Sequence, residues 1–321
     1  MKALRFEKFG PPSVLTIEEL PRPEPHDGEA LVQVHAAAIN PSDVKNVSGY
    51  FPATTLPRTP GRDFAGIVVT GKKCEAQEVW GSGPGLGTTL DGAQAEYVVV
   101  SEEAVSPKPR NLSFEQAAAI GVPFITAWCA VVDAAQLDAG ETILIIGASG
   151  AVGQAATQIA CWRKARVLAA GRSSKPVPGA DAVINTRTED LRARVFELTK
   201  DKGADAVFDA VGGAMFEPSL HCLRVGGRQI AITSTGERRV CFDLIDFYHN
   251  RSRLVGVDTM KLTPSDVGAI AQKLSSGFKA GALKPPAVET VPFENAIQAY
   301  EQLVTGNTNT KQVLTFSSNQ T

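Results

Sequence analysis

A glycine-rich segment after a short apolar run is the clearest sign of chemistry in the sequence. Ile143–Ile146 is strand-like, and glycines at 147, 150 and 153 then form the pattern G-x-x-G-x-x-G before an apolar helical segment. Such glycines permit a tight turn, close approach of a pyrophosphate and close packing of the helix on the strand. The helix N-terminus attracts phosphates. We therefore predict a dinucleotide site, with a purely structural turn as the alternative. Its predicted residues are Gly147, Ala148, Ser149, Gly150, Ala151, Val152 and Gly153.

Basic and hydroxyl residues follow the second predicted strand of this unit. Arg172 lies 19 residues after Gly153, near the place where an enzyme that uses NAD has an acid for the ribose 2′-hydroxyl. A guanidinium can instead bind the 2′-phosphate of NADP through a charge-assisted fork. Arg172, Ser173 and Lys175 therefore predict NADPH as the cofactor. The alternative is a solvated surface arginine.

A third group of candidate residues closes the fourth predicted strand of this region. Asp209 and Val211 belong to the segment Asp-Ala-Val-Gly-Gly that ends it. Ligands of open α/β sheets bind at the carboxyl ends of the strands, so we predict both residues beside the cofactor. A strand-end carboxylate satisfied by its own neighbours explains Asp209 equally well.

Strands and helices alternate from about residue 140, and this alternation positions the three groups. It predicts an α/β fold with a doubly wound parallel sheet that is covered by helices on both faces. The predicted strands are Ile143–Ile146, Arg166–Ala170, Ala182–Ile184, Ala206–Asp209 and Arg228–Thr233.

The first hundred residues show short strands separated by prolines, which predicts a compact β domain. We predict strands at Ala30–Ala36, Phe64–Val69 and Glu96–Val100, and a loop over the glycine-rich range Ala76–Gly92. Ser113 and the glutamine three residues later have the spacing of a capping box, which predicts the start of an alanine-rich helix.

The chain after about residue 260 returns to a different pattern. Thr263 and Pro264 predict a helix start, with threonine as the N-cap and proline at the first helical position. A second helix over about 294–305 and a last strand, Gln312–Phe316, follow. The helix that begins at Pro264 has one apolar face. Its residues are Val267, Ile270, Ala271, Leu274 and Phe278.

Composition excludes several classes of protein. The chain has 321 residues, 43% of them hydrophobic, and a net charge of −2, which argues against a disordered chain and against a nucleic-acid binder. Five cysteines without a C-x-x-C pair fit a reducing compartment, so we expect a cytoplasmic protein. The stretch Thr142–Trp162 has no charge, but its three glycines predict a strand, a turn and a buried helix rather than a membrane span.

Several motifs together resemble a known family. Asn40–Lys45, Pro60–Gly66, Ala95–Tyr97, Thr126–Ala127 and the glycine turn occur in the order found in the zinc-free quinone oxidoreductase branch of the medium-chain dehydrogenase/reductase superfamily. The resemblance covers about 30–316 and ends with a segment that begins at Lys311. It implies a GroES-like catalytic domain of 1–122 and 260–321, an NADP-binding Rossmann domain of 123–259, and a homodimer.

The resemblance also implies roles for individual residues. Asn40, Asp43 and Lys45 would lie near the nicotinamide ribose and the substrate, and Thr126 would face the cofactor. Many quinone reductases have tyrosine at the position of Lys45, and lysine is similar to the enone and alkenal reductases. Tyr50 is a candidate proton donor, with water as the alternative.

Each of these residues also has an ordinary structural interpretation. An asparagine before a proline is typical of a turn, which applies to Asn40. Asp43 fits a local helix cap, and Lys45 fits a solvated surface. The hydroxyl of Thr126 fits a hydrogen bond to its own helix backbone.

The resemblance places Gly61-Arg62-Asp63 where zinc-dependent relatives have Gly-His-Glu, and Asn40 near the position of a cysteine ligand. We therefore predict no metal site, and no alcohol oxidation, which needs a Lewis acid. We expect an NADPH-dependent reductase that transfers a hydride to a quinone or an α,β-unsaturated carbonyl compound, with hydrogen-bond donors at the acceptor oxygen. The alternatives are an enoyl-thioester reductase and a non-catalytic NADPH-binding sensor or accessory protein.

Overall fold

The computed structural model describes residues 1–72, 75–306 and 310–316, so Cys74 lies outside the described residues. The chain divides into two compact units. The first unit combines Met1–Ile125 with Met260–Thr321, and the second unit is Thr126–Thr259.

The N-terminal part of the first unit is mainly β-structure. Its strands are β1 (Lys2–Arg5), β2 (Thr16–Glu19), β3 (Glu29–Ala38), β4 (Asp63–Thr70), β5 (Glu78–Ser82), β6 (Tyr97–Ser101) and β7 (Val105–Pro107). Strand β3 pairs antiparallel with both β4 and β6, and β5 pairs with β4 and β7. Valines 32, 34, 98 and 100 pack with Phe64 in the core beneath these strands. The predicted strands in this region are confirmed.

The prediction of a loop throughout Ala76–Gly92 is wrong, because this range contains β5. The alternation of apolar and polar residues is broken there by Gly81. A Cβ atom at Gly81 would lie 2.8 Å from the Phe64 ring and 3.0 Å from the carbonyl oxygen of Ala104. The strand therefore requires glycine at a position where a strand pattern calls for a side chain.

Short helices follow the strands of the first unit. They are α1 (Pro41–Val47), α2 (Phe114–Ala118) and α3 (Gly121–Trp128). The capping box predicted at Ser113 is confirmed, since its N–H donates to Gln116 Oε1 at 3.1 Å and its Oγ accepts the Gln116 N–H at 3.2 Å. Helix α1 begins at a proline, which needs no hydrogen bond at the first helical position.

The second unit is a parallel α/β sheet. Its strands are β8 (Thr142–Ile146), β9 (Arg166–Gly171), β10 (Ala182–Asn185), β11 (Ala204–Asp209), β12 (Leu223–Ala231) and β13 (Arg253–Gly256). Its helices are α4 (Ala151–Trp162), α5 (Leu191–Thr199), α6 (Phe216–Leu220) and α7 (Leu244–His249). The strands run parallel in the order β10-β9-β8-β11-β12-β13. This order confirms the predicted doubly wound Rossmann sheet.

Strand β12 begins earlier than its apolar pattern indicates. The prediction started at Arg228, whereas the strand starts at Leu223 and pairs there with Ala204 of β11. A register shift follows this first pair, and a Cβ atom at Gly227 would lie 3.0 Å from the carbonyl oxygen of Arg224. Because the start of the strand is irregular and contains glycines, the apolar pattern of a strand is missing there.

The uncharged stretch Thr142–Trp162 forms strand β8, a turn and helix α4, as predicted. Within the described residues, none of the helices combines the length and the apolar character that crossing a membrane requires.

The C-terminal return completes the first unit. It consists of α8 (Pro264–Lys279), β14 (Val288–Pro292), α9 (Ala296–Thr305) and β15 (Lys311–Thr315). Thr263 caps α8 by accepting the Asp266 N–H at 3.1 Å, and the predicted apolar face of this helix is buried. Strand β15 pairs antiparallel with β3, opposite Ala36–Ala38, so the last strand lies beside the end of β3.

Candidate active site

The glycine turn of the second unit has the geometry of a phosphate cradle. Gly147 follows β8 with φ +79°, a conformation that favours glycine, and Gly150 is the N-cap of α4. A Cβ atom at Gly153 would lie 2.3 Å from the carbonyl oxygen of Gly147, so helix and turn approach too closely for any side chain. Ser149 and Gly150 are exposed. The first-turn N–H groups of α4 have no acceptor within the helix, which fits an anionic ligand.

The end of β11 lies beside this turn. A Cβ atom at Gly147 would be 2.9 Å from Val211 Cγ2. Asp209 is fully buried, and its Oδ1 accepts the N–H groups of Val211 at 3.0 Å and Gly212 at 2.8 Å. Burial raises the pKa of Asp209, and these N–H groups oppose the rise. The carboxylate therefore shapes the loop that carries Val211, rather than presenting an oxygen to solvent.

A basic segment lies after β9. Arg172, Ser173 and Lys175 are all exposed, and no helix forms between β9 and β10. Within the described part of the chain, no carboxylate forms an ion pair with Arg172 or Lys175. Asn185 Nδ2 donates to Ser174 Oγ at 3.1 Å, which ties this segment to the end of β10. The guanidinium and ammonium are accessible to a phosphate.

Polar side chains of the first unit meet where β3 ends and α1 begins. We call Asn40, Asp43, Asp63 and Lys311 the Asn40 cluster; their exposed fractions lie between 0% and 8%. The Asn40 N–H donates to Asp43 Oδ2 at 2.8 Å, and its Nδ2 donates to Asp63 Oδ2 at 2.9 Å. Its Oδ1 accepts from Lys311 Nζ, which also donates to the Ile39 carbonyl at 3.0 Å. The carboxamide of Asn40 thus joins the Asp63 carboxylate and the Lys311 ammonium, and its backbone N–H adds the Asp43 carboxyl group.

The same cluster anchors the start of α3. The Val122 N–H donates to both Asp63 carboxylate oxygens, at 2.9 Å and 3.0 Å. A Cβ atom at Gly121 would lie 2.3 Å from Asp63 Oδ1, so this glycine makes room for the carboxylate. Further along α3, Thr126 is buried.

Burial controls the protonation of the cluster. It raises the pKa of Asp43 to about 7; the Asn40 N–H opposes this rise, the charge of Asp63 adds to it, and the charges of Lys311 and Arg62 oppose it. Burial also lowers the pKa of Lys311, against the attraction of Asp63 and Asp43. Asp43 can therefore change its protonation state near neutral pH.

The other two predicted catalytic residues are more accessible. Lys45 is half-buried in the last turn of α1. Tyr50 is 67% exposed, and its N–H donates to the Lys45 carbonyl at 3.0 Å. In the first unit, Lys45 and Tyr50 are therefore the candidates that can reach a ligand, whereas Asn40 and Asp43 are committed to each other and to their buried partners.

The sequence analysis did not predict site roles for Asp63 and Lys311. Both occur in motifs that carry the family resemblance, and a second signal was present in their surroundings. Asp63 begins the apolar strand β4 and Lys311 begins β15, and each is buried although it is charged. Buried charged residues are rare unless they are paired, so a charge at the start of an apolar strand is a reason to look for a partner.

Among residues 1–72, 75–306 and 310–316, no group of three or more His, Cys, Asp or Glu side chains is arranged to hold a metal ion.

Comparison with known proteins identifies relatives along the whole chain. A family model described as alcohol dehydrogenase GroES-like domain matches residues 26–110, and one described as zinc-binding dehydrogenase matches 151–276. The zinc-type alcohol dehydrogenase-like protein of Schizosaccharomyces pombe is 36% identical over 99% of this chain and 98% of its own length. The quinone oxidoreductase of Homo sapiens is 32% identical over 96% of this chain and 95% of its own.

A solved structure shows the same fold. The quinone oxidoreductase of Escherichia coli, crystallised with NADPH, superposes with a TM-score of 0.86 at 25% identity. The match covers 98% of this chain and 100% of that one.

The stability of the Asp43→Asn variant relative to the wild type should increase as the pH rises from about 4 to about 7. The folded pKa is about 7 and the ordinary value is 3.8, so the folded state binds this proton more tightly. The contribution of Asp43 to stability is therefore complete below the ordinary pKa and is lost as the pH rises through the folded pKa. The loss is at most about 4 kcal/mol.

Urea unfolding of both proteins across this pH range measures the difference. Asp27→Asn, at a carboxylate of the same unit whose side chain is 89% exposed, is the control. A stability difference between Asp43→Asn and the wild type that does not change with pH would contradict the prediction.

Proposed function

The chain belongs to the medium-chain dehydrogenase/reductase superfamily of oxidoreductases, and on that premise we propose that it is a zinc-independent, NADPH-dependent reductase of quinones or α,β-unsaturated carbonyl compounds. The observation that carries the proposal is the glycine turn at Gly147–Gly153 in the same unit as the accessible Arg172. The similarity to quinone oxidoreductases, one of them crystallised with NADPH, supports it. When bound, NADPH supplies a hydride.

The residues of the second unit account for binding of this cofactor. The first-turn N–H groups of α4 would bind the pyrophosphate, and the exposed N-cap Gly150, which has no side chain, lets it approach the backbone. Arg172, Ser173 and Lys175 would hold the 2′-phosphate, where two cations and a hydroxyl are exposed together. Val211, beside Gly147, would limit the space at the end of β11.

The residues of the first unit account for stabilisation of the acceptor. Reduction of a quinone or an enone places negative charge on the acceptor oxygen, and a donor directed at that oxygen lowers the barrier. We assign this role to the ammonium of Lys45. The exposed hydroxyl of Tyr50 would supply the proton. Asn40 and Asp43 would hold α1 in place without touching the acceptor, because their polar atoms already have buried partners.

Buried charges in and beside the Asn40 cluster support zinc independence. Arg62 stands in the position where zinc-dependent relatives have histidine, and Lys311 donates to the Asn40 carboxamide. Arg62 and Lys311 are both buried, 7% and 8% exposed. Two buried cations repel a divalent cation and neutralise the carboxylates that would otherwise attract one.

The first experiment is NADPH consumption by the purified protein, with a short enone and an ortho-quinone in parallel reactions. We expect consumption with at least one acceptor, and an unchanged rate after treatment with a zinc chelator. Saturable NADPH binding without consumption of NADPH by either acceptor would contradict the proposal. It would favour a sensor or an enoyl-thioester reductase. Consumption of NADPH with a long-chain enoyl thioester would then identify the reductase, and no consumption would identify the sensor. Loss of activity with the chelator would overturn zinc independence alone.

Arg172→Ala should weaken NADPH binding roughly tenfold to a hundredfold and leave NADH binding nearly unchanged. A charge-assisted hydrogen bond to the 2′-phosphate is worth ~1.5–3 kcal/mol, and NADH has no such phosphate. Fluorescence titration with both cofactors measures the effect. Arg251→Ala is the matched control, because Arg251 is an exposed arginine of the same unit that precedes β13, at the amino end of the sheet. Equal weakening of NADPH and NADH binding would remove the assigned role.

We also propose a homodimer formed through the edge of the second unit. Within the described residues, β13 has a sheet neighbour on one side only, so its other edge has unpaired backbone groups. Exposed apolar side chains lie on β13 and on the helix before it in the chain: Leu254 is 43% exposed, and Leu244, Ile245 and Tyr248 of α7 are 56% to 64% exposed. A second copy that pairs its own β13 would cover these side chains in a two-fold symmetric interface.

Leu254→Lys should therefore convert the dimer into a monomer, because it places like charges on both sides of a symmetric interface. Light scattering after size exclusion should show the mass fall from about twice 33.9 kDa to 33.9 kDa. Leu90→Lys is the control, at a leucine of the first unit that is 52% exposed, compared with 43% for Leu254. A wild-type protein that is already monomeric, or a Leu254→Lys variant that stays dimeric, contradicts the proposed surface.

We also propose a cytoplasmic location, which the lack of disulfide bonds among the described cysteines favours. Among the described residues, Cys129, Cys161, Cys222 and Cys241 form no disulfide bonds. Free thiols persist in reducing compartments, whereas secreted proteins usually pair them.

A further inference from the structure

Lys311 connects the last strand of the chain to the helix that carries Lys45. It begins β15, is 8% exposed, and directs its ammonium at two acceptors, Asn40 Oδ1 and the Ile39 carbonyl. Ile39 and Asn40 are the last residues before α1 begins at Pro41. The lysine is 271 positions away from Asn40 in the sequence, so only the return of the chain brings them together.

An ammonium in this place is costly, which makes its contacts informative. Burial lowers the pKa of Lys311, and the charges of Asp63 and Asp43 raise it. A methionine of similar length would fill the same space without the cost of desolvation. The ammonium therefore requires a reason beyond packing, and the atoms that it touches indicate which one.

The Asn40 carboxamide has two ends, and the cluster distinguishes them. Its Nδ2 donates to Asp63 Oδ2 at 2.9 Å, and its Oδ1 accepts from Lys311. A carboxylate accepts only and an ammonium donates only, so the amide can satisfy both in a single orientation. Without the ammonium, Asn40 Oδ1 loses its charged donor. Asp63 and Asp43 also lose the positive charge that the Asn40 cluster contains.

We propose that Lys311 is a positioning residue for the reduction. It fixes the Asn40 carboxamide and thereby the first turn of α1, the helix whose last turn carries Lys45. This inference rests on the proposed function. The connection is short, because the Asn40 N–H donates to Asp43 Oδ2 within that turn. Lys45 lies two residues further along, and its carbonyl accepts the Tyr50 N–H at 3.0 Å. A displaced first turn would displace both accessible candidates.

Lys108 provides a matched control for this proposal. It belongs to the same unit, its side chain is 7% exposed, and it pairs with Glu78 Oε2 at 3.1 Å. It donates to a backbone carbonyl as well, that of Leu112, at 2.6 Å. Lys108→Met therefore removes a buried ammonium with two oxygen partners, as Lys311→Met does, but it leaves α1 untouched.

The test compares Lys311→Met with Lys108→Met in the full-length protein. With the acceptor that the wild type uses, we expect Lys311→Met to lower kcat at least tenfold while the Kd for NADPH changes less than threefold. Amide hydrogen exchange in peptides that cover 41–47 should become at least tenfold faster in Lys311→Met only. Equal losses of kcat in the two variants, or unchanged exchange in 41–47, would overturn the proposal.

A second variant keeps the test decisive if Lys311→Met does not fold. Lys311→Met combined with Asp63→Asn removes one positive and one negative charge together, so no carboxylate of that pair remains buried without its counter-ion. Asn40 Oδ1 still lacks its donor in this double variant, so the same loss of kcat and the same faster exchange are expected. A double variant with wild-type kcat and exchange refutes the positioning role.

The exchange measurement also separates this proposal from the proposed function. A wild-type protein that consumes no NADPH with any acceptor overturns the proposed function. The exchange in 41–47 then decides by itself whether Lys311 orders α1.

Discussion

The first unit depends on one buried asparagine whose carboxamide and backbone N–H together satisfy three ionisable neighbours. Asn40 stands between a strand and a helix, and it binds two carboxyl groups and an ammonium that come from three other elements. Each of those groups would be costly to bury alone, and each is tolerated because the others are present. Strand β4, strand β15 and helix α1 are therefore held together by mutual compensation of charge. Asp63 extends the arrangement to the start of α3 through the Val122 N–H.

The second unit is governed by a different constraint, the space available to the backbone. At Gly153 a single carbon atom would lie 2.3 Å from the Gly147 carbonyl oxygen, and at Gly147 it would lie 2.9 Å from Val211. These close approaches bring the N-terminus of α4 and the end of β11 to one place. Arg172, at the end of the adjacent strand β9, supplies charge there. Steric exclusion and charge would thus make the proposed phosphate site.

This difference explains how much could be predicted from the sequence. The glycine turn, Arg172 and the alternating strands lie within one contiguous segment, so their spacing alone indicates a Rossmann sheet and a dinucleotide site. The family resemblance added the GroES-like domain. The Asn40 cluster could not be derived in the same way, because Lys311 reaches Asn40 only through the pairing of β15 with β3. Strand β5 was missed for a related reason, since Gly81 is required by the neighbouring Phe64 and not by any local pattern.

The cluster also gives a physical reason for dividing the proposed catalytic roles among the residues of the first unit. A residue that touches the acceptor needs polar atoms that are available, and Asn40 has already used both ends of its amide. Asp43 is 3% exposed and accepts from the N–H of Asn40, the N-cap of α1, so its change of protonation near pH 7 acts on the helix rather than on a ligand. Lys45 and Tyr50 face the opposite situation, because they are more accessible. The buried residues would keep the helix that carries Lys45 in place, and a donor must be held rigidly to stabilise charge that exists only in the transition state.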